Sequence, residues 1–225
     1  MSRLVRQRIS TVLRVLSNKG ISGLIKLIKS YFLYQYKEKW EFTYFEKSVG
    51  QQPPYKLPKL DDSTVIRIAV KNDITQIITD IYPFLTAKQE NDKRYIERIG
   101  SSHVKCFIAE RDKKLVHYSL LYENANNSPL IQTPIINAKI HLTDAYLGSV
   151  FTIPEARGSW ILRYAILSIF SYLNENTNVK RILVIVHKDT PGAEGFYKGL
   201  GFNVMTDATA RNYLHIFRSK SNHRN

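Results

Sequence analysis

The sequence predicts an α/β domain, a sheet flanked by helices, preceded by a helical extension. Three observations lead there. From Ser63 onward, short apolar runs of strand period alternate with longer stripes of helical period. Gln51 to Lys59 carries Pro53, Pro54 and Pro58, which excludes regular helix and marks a linker. Before it, residues 1–50 hold ten Lys/Arg against three Glu, half of the chain's net charge of +14. The expected organisation is therefore an extension over 1–50, a linker over 51–62, a domain over 63–219 and a tail over 220–225.

In the extension, Leu4, Val5, Ile9, Val12, Leu13 and Leu16 share one helical face, and Asn18-Lys19-Gly20 is a stop signal. A second helix is expected from Ser22 to about Tyr36, with Leu24, Ile25, Ile28, Tyr31 and Phe32 on one stripe. In the domain, Val65 to Val70 reads as a strand. Asp73 can cap a helix through Leu85, which Pro83 would end or kink. A polar helix is expected over 88–99. Val104 to Glu110 and Lys114 to Tyr122 read as a hairpin about Arg111-Asp112-Lys113, followed by an irregular stretch from Glu123 to Ile140. Then come a strand (Thr143 to Thr152), an amphipathic helix (Ser159 to Leu173), a buried strand (Lys180 to Val186) and a short helix (Ala193 to Gly199). Strands over Phe202 to Met205 and Tyr213 to Phe217 close the sheet.

The chain has 225 residues, 44% of them hydrophobic, enough for a sizeable core without a staple. Its one cysteine, Cys106, lies in an apolar run and excludes an intrachain disulfide. A reducing, cytoplasmic setting is expected. No apolar stretch reaches the length of a membrane span, and no secretory signal is evident. The basic charge favours anionic partners, yet no nucleic-acid signature appears. Residues 1–50 are the candidate contact to an anionic inner-membrane surface. The same stripe could instead pack on the domain or across a homodimer. No histidine has metal-ligand spacing, so no metal is expected.

Two stretches could carry chemistry. In Val150-Phe-Thr-Ile-Pro-Glu-Ala-Arg-Gly-Ser-Trp160, a strand ends at a proline and a loop with Arg157 and Gly158 opens a helix. Amides at such a helix start can cradle phosphate. The second stretch is Ala193-Glu-Gly-Phe-Tyr-Lys-Gly-Leu-Gly-Phe202. Together they resemble the GNAT superfamily of acyltransferases. Pro154, Arg157 and Gly158 match its first motif; Ala193, Phe196, Tyr197, Leu200, Gly201 and Phe202 match its second. A closer likeness is to members linked to polysaccharide biosynthesis.

The resemblance implies a mixed, mostly antiparallel sheet and transfer of an acetyl or similar group from acetyl-CoA. The acceptor would be an amine or hydroxyl of a small molecule such as a sugar. It implies coenzyme contacts from Val150, Phe151, Thr152, Arg157, Gly158, Ser159, Trp160, Ile161 and Leu162, and Tyr197 as the acid that protonates the thiolate. Asp144, Glu123, His117 and His141 are candidates for the base, Asp144 being preferred. Trp160 and Leu162 stand where the family has small residues, and Asp189 and Thr190 where it has an asparagine. A catalytically inactive binding module and a protein or peptide N-acetyltransferase are therefore the alternative readings.

Overall fold

In the computed structural model, which describes residues 39–50, 59–85, 96, 99, 104–132, 140–213 and 216–222, alternating apolar runs become an eight-stranded sheet. The strands are β1 (Lys39–Ser48), β2 (Thr64–Ile68), β3 (Val104–Arg111), β4 (Lys114–Tyr122), β5 (Asp144–Thr152), β6 (Arg181–His187), β7 (Asn203–Tyr213) and β8 (Ile216–Asn222). Their order is β2-β3-β4-β5-β6-β1-β7-β8. Every pairing is antiparallel except β5 with β6. The fold is the mixed, mostly antiparallel α/β architecture expected.

The helices are α1 (Asp73–Asp80), α2 (Ile161–Asn176) and α3 (Ala193–Gly199). Helix α2 buries Ile161, Ala165, Ile166, Ile169 and Leu173, a stripe of helical period. With Tyr197 and Leu200 of the α3 region, it covers one face of the sheet over Phe107, Leu121, Leu147, Val184 and Val186. On the other face Ile77 and Ile81 of α1, with Ile96 and Ile99, cover Ile108, Tyr118, Leu120 and Tyr122. Cys106 lies in this second core, and burial pushes its thiol well above the usual range.

The β3–β4 hairpin turns where Asp112 and Lys113 both take positive φ, as a tight two-residue turn requires. Helix α1 ends at Asp80, and Tyr82–Phe84 forms one tighter turn with Pro83 at its start, so the helix stops five residues before Leu85. Asp73 is its first residue rather than its cap. The Asp73 carboxylate accepts from both Arg67 Nη atoms (2.7 and 2.8 Å) and from Val70 N (2.7 Å).

The domain boundaries expected from composition need correction at both ends. Lys39–Ser48, assigned to the helical extension, is a strand at the heart of the sheet, pairing β6 on one side and β7 on the other. Its alternation is real: Phe42 and Tyr44 pack on one face, while Phe45 joins the core on the other. At the far end β8 runs to Asn222, past the tail boundary at Ser219. The strand expected over Tyr213 to Phe217 straddles the end of β7 and the start of β8. Strand β7 is long because β1 offers it a partner as far as Arg211. The helices expected over residues 3–16 and 22–36, the linker prolines and most of 88–99 lie outside the described residues.

One ion cluster ties three strands together. Arg181 on β6 donates to Asp144 through Nε (3.0 Å) and Nη2 (2.6 Å), and to Glu46 of β1 through Nη1 (2.6 Å). Asp144 is 2% exposed, so removing Arg181 strands a buried charge. Arg181→Met should cost about 3 kcal/mol in urea denaturation, and replacing Asp144 by Leu as well should recover much of it. A pH effect is expected from Asp73. Its hydrogen bonds to Arg67, and next that from Val70, hold its carboxyl below the ordinary range. The unfolded chain therefore takes up this proton first as pH falls. The stabilisation is complete above about pH 4 and is lost as pH drops through the native value. Asp73→Asn should flatten that part of the acid-stability curve and cost about 1.5–3 kcal/mol at pH 7.

Candidate active site

Strands β5 and β6 pair over four positions only, Asp144 with Arg181 through Leu147 with Val184, and then part. Each follows its outer neighbour. Strand β6 stays with β1 to the Phe42–His187 pair, and β5 stays with β4 to the His117–Thr152 pair. The divergence begins where β5 carries a bulge. Leu120 faces Gly148 and Ser119 faces Val150, so Ser149 is the extra residue, and its φ is +44°. Bulges sharpen the local twist and bend the strand. Gly148 is needed beside it, because a Cβ there would stand 2.7 Å from Cε1 of the Tyr146 ring.

The gap is a cleft of about 740 Å³. It is lined by β5 from Tyr146 to Thr152, β6 from Val184 to His187, the Thr190–Ala193 turn, Arg157, Leu162, Phe196 and Tyr197. Its β5 wall presents backbone amides. Ile153 N–H donates to Val116 O (3.0 Å), so His117 and Thr152 form the next, non-bonded pair of the ladder. By that alternation Thr152 and Val150 turn their N–H and C=O groups away from β4, toward the cleft. Consistent with this, Arg157 Nε donates to Thr152 O (3.1 Å).

Pro154–Ala156 makes one tight turn after β5; Gly158 follows at φ +75°, and the helix proper starts at Ile161 with Trp160 as its cap residue. Helix α2 thus opens two residues later than Ser159, the expected start. A recess of about 330 Å³ adjoins the cleft here, between Arg157, Gly158, Ser159, Trp160, Leu162, Arg163 and Phe196. Trp160 is 41% exposed and lies under the Arg163 guanidinium (4.9 Å), which also sits over Phe196 (5.5 Å). Leu162 packs toward the core, and Ile161 is buried beneath the turn beside Ala156. One Arg157 N–H is used on Thr152; the rest of its fork is suited to an anion.

Tyr197 is wedged among Phe45, Phe196 and Phe202, with ring centroids 5.3–5.9 Å away, and also lines the cleft. Burial pushes its hydroxyl above the ordinary tyrosine range, so it keeps its proton at neutral pH. Helix α3 is fixed at both ends. Gly192 opens it and Gly201 closes it, both at positive φ. The buried Lys47 of β1 donates to Leu200 O (2.7 Å), and desolvation lowers its pKa.

The structure thus brings Val150, Phe151, Thr152, Arg157, Leu162 and Tyr197 to one cleft, with Gly158, Ser159 and Trp160 at its adjoining recess. The base candidates lie elsewhere. Asp144 is held by Arg181 and by His141 N (2.7 Å) at the start of β5, roughly 20 Å along the strand from Val150 at ~3.3 Å per residue. Glu123 accepts from Tyr172 Oη at 2.5 Å. His117 is fully buried between Thr152 Oγ1 (2.8 Å) and Ser119 Oγ (2.7 Å), and burial lowers its pKa to about 3, so it is a neutral structural histidine. His141 stands with Asp144 at the far end. Sequence reasoning missed His187 and the Thr190–Gly192 turn as cleft residues. Among the described residues no group of His, Cys, Asp or Glu could hold a metal, and no helix is long and apolar enough to cross a membrane.

A family model described as the acetyltransferase (GNAT) family matches residues 71–202. No curated protein matches the chain. The chain is similar to several solved structures. The tandem GNAT protein of the clavulanic acid biosynthesis pathway is 15% identical, with a TM-score of 0.54 over 83% of this chain and 55% of that one. A GCN5-related N-acetyltransferase from Sphaerobacter thermophilus is 15% identical, with a TM-score of 0.50 over 90% and 57%. A ribosomal-protein-alanine N-acetyltransferase from Brucella melitensis biovar Abortus 2308 is 14% identical, with a TM-score of 0.42 over 60% and 88%. This chain therefore spans little more than half of the first two.

Arg157→Ala should weaken coenzyme A binding about ten-fold or more in isothermal titration, the worth of one charge-assisted phosphate contact at about 1.5–3 kcal/mol. An unchanged dissociation constant would remove Arg157 from the site.

Proposed function

The chain belongs to the GNAT acetyltransferase family, and on that premise we propose that it moves an acetyl or similar acyl group from coenzyme A to an amine or hydroxyl of a small molecule. An amino or hydroxyl group of a sugar is the acceptor class we favour, at the cytoplasmic side of the cell. The basic residues before β1, 1–38, would serve as a contact to anionic lipid. The observation that carries the reading is the parted β5–β6 pair, because both sequence motifs meet at that one cleft.

The chemistry assigns a task to each wall. The acceptor attacks the thioester carbonyl, and charge develops on its oxygen. The N–H groups of Val150 and Thr152, turned into the cleft, suit that oxyanion and need no reorganisation as it forms. As the tetrahedral intermediate collapses, the carbon–sulfur bond breaks and the thiolate takes a proton from Tyr197, held neutral by its burial. At the mouth, Arg157 and the amides opening α2 suit the pyrophosphate. Trp160 lines the recess, yet it is 41% exposed and stacks against Arg163, which supports an approach left open.

Two measurements test the reading. Isothermal titration with acetyl-CoA separates a catalyst from an inactive module, and thiol release against a panel of amino sugars and peptides separates small-molecule from peptide acceptors. Tyr197→Phe should lower kcat by about 10²–10⁴-fold with little change in coenzyme affinity. A loss confined to thermal stability would assign Tyr197 to the core alone.

A further inference from the structure

Building on the acyl-transfer reading, we infer that His187 is the general base that takes the acceptor's proton, with Asp189 as its positioning residue. The cleft lining narrows the choice. Among its described residues the ionisable side chains are Tyr146, Arg157, His187 and Tyr197; no Asp, Glu, Lys or Cys takes part. Of these side-chain types only imidazole ordinarily exchanges a proton near neutrality.

The strand's alternation then fixes the side from which His187 works. Along β6, Ile182, Val184 and Val186 pack beneath α2 and α3, in the same core as Tyr197. Leu183 and Ile185 pack on the opposite face with Phe42 and Tyr44. His187 continues this second series, and its ring meets Phe42 at 4.4 Å between centroids. Base and acid thus approach the cleft from opposite faces of the sheet. Acyl transfer calls for that arrangement, because the acceptor enters and the thiolate leaves on different sides of one tetrahedral carbon.

Asp189 supplies orientation. Its Oδ1 lies 3.7 Å from His187 Nδ1. A carboxylate there favours the tautomer protonated at Nδ1 and makes Nε2 the basic nitrogen. That separation exceeds a hydrogen bond, as catalytic pairs often do before substrate binds. The acceptor nitrogen forms its bond to the thioester carbon, its proton passes to Nε2, the carbon–sulfur bond breaks, and Tyr197 protonates the thiolate. Solvent then exchanges the proton from imidazolium to phenolate.

The test uses the full chain. The His187 ring resonance, assigned by its loss in His187→Gln, should shift on saturation with acetyl-CoA. His187→Gln should bind acetyl-CoA within about two-fold of the parent. Thiol release from acetyl-CoA, with glucosamine or water as acceptor, should fall about 10²–10⁴-fold in His187→Ala. Imidazole should restore part of that activity to His187→Ala and none to Tyr197→Phe. Asp189→Asn should lower kcat less than His187→Ala and leave coenzyme affinity intact. Turnover within three-fold of the parent in His187→Gln, or a resonance unmoved by saturating acetyl-CoA, overturns the assignment of His187 alone. The resonance decides even where turnover with these acceptors is slow. Failure of the parent chain to bind acetyl-CoA overturns the acyl-transfer reading, and His187 falls with it.

Discussion

The site depends on a short stretch of parallel pairing that is held hard at one end and released at the other. At the closed end Arg181 reaches across to Asp144 and Glu46, fastening β5, β6 and β1. Five residues after Asp144, Ser149 bulges out of β5, and no pairing joins the two strands again. A parallel pair that continued would use the amides of Val150 and Thr152 in its own ladder and fill the space between. The bulge releases those groups instead, and antiparallel neighbours on both sides keep each strand rigid while it diverges. His117 adds to this from beneath, pinning the Thr152 side chain so that its backbone stays turned outward.

Strand β1 is the second constraint, and it lies before the family match begins at residue 71. By sitting between β6 and β7 it reaches both sides of the cleft. Lys47 fastens the end of α3, and Thr43 contacts Glu194 (2.6 Å) and Asp207 (2.9 Å) near its start. Phe42 backs His187. A segment that composition assigns to an appendage therefore positions the helix bearing Tyr197 and the ring of His187. The buried Lys47 ammonium is tolerable because it meets a carbonyl at a helix C-terminus, where the dipole favours positive charge.

The hairpin, the long helix, the short second helix and both motifs were legible in the sequence because each has a strong local signal. Asp112-Lys113 at a turn, the Ile161–Leu173 stripe and Pro154 after a strand are examples. Strand β1 was not, although Trp40, Phe42, Tyr44 and Phe45 are an aromatic-rich strand signal. Its charge matched the basic extension, and the partners that make it a strand lie some 140 residues away. That the base candidates do not line the cleft was hidden for a related reason. Asp144 and His117 are buried polar groups and Glu123 is half-buried, which marks none of them as catalytic. Their partners Arg181, Tyr172 and Thr152 are visible only once the chain is folded.

Tyr197 carries two demands at once. Its ring fills a core pocket against Phe45 and Phe202, while the same residue faces the cleft. The aromatic packing that desolvates the hydroxyl keeps it protonated. The same desolvation makes the phenol a weaker acid, so in the proposed role its proton passes only to a strongly basic thiolate formed in the same desolvated cleft. The packing also fixes the ring, so no ordering of that side chain remains to be done in the transition state. His187 answers to the opposite demand. A base must regain its starting state through solvent after every turnover, and that ring sits at the cleft's open end, 47% exposed, where exchange is easy. On the proposed assignments, a dry acid at one face and a wet base at the other would follow from one geometric fact: β6 buries one side of its C-terminal end beneath α3 and leaves the other to the cleft.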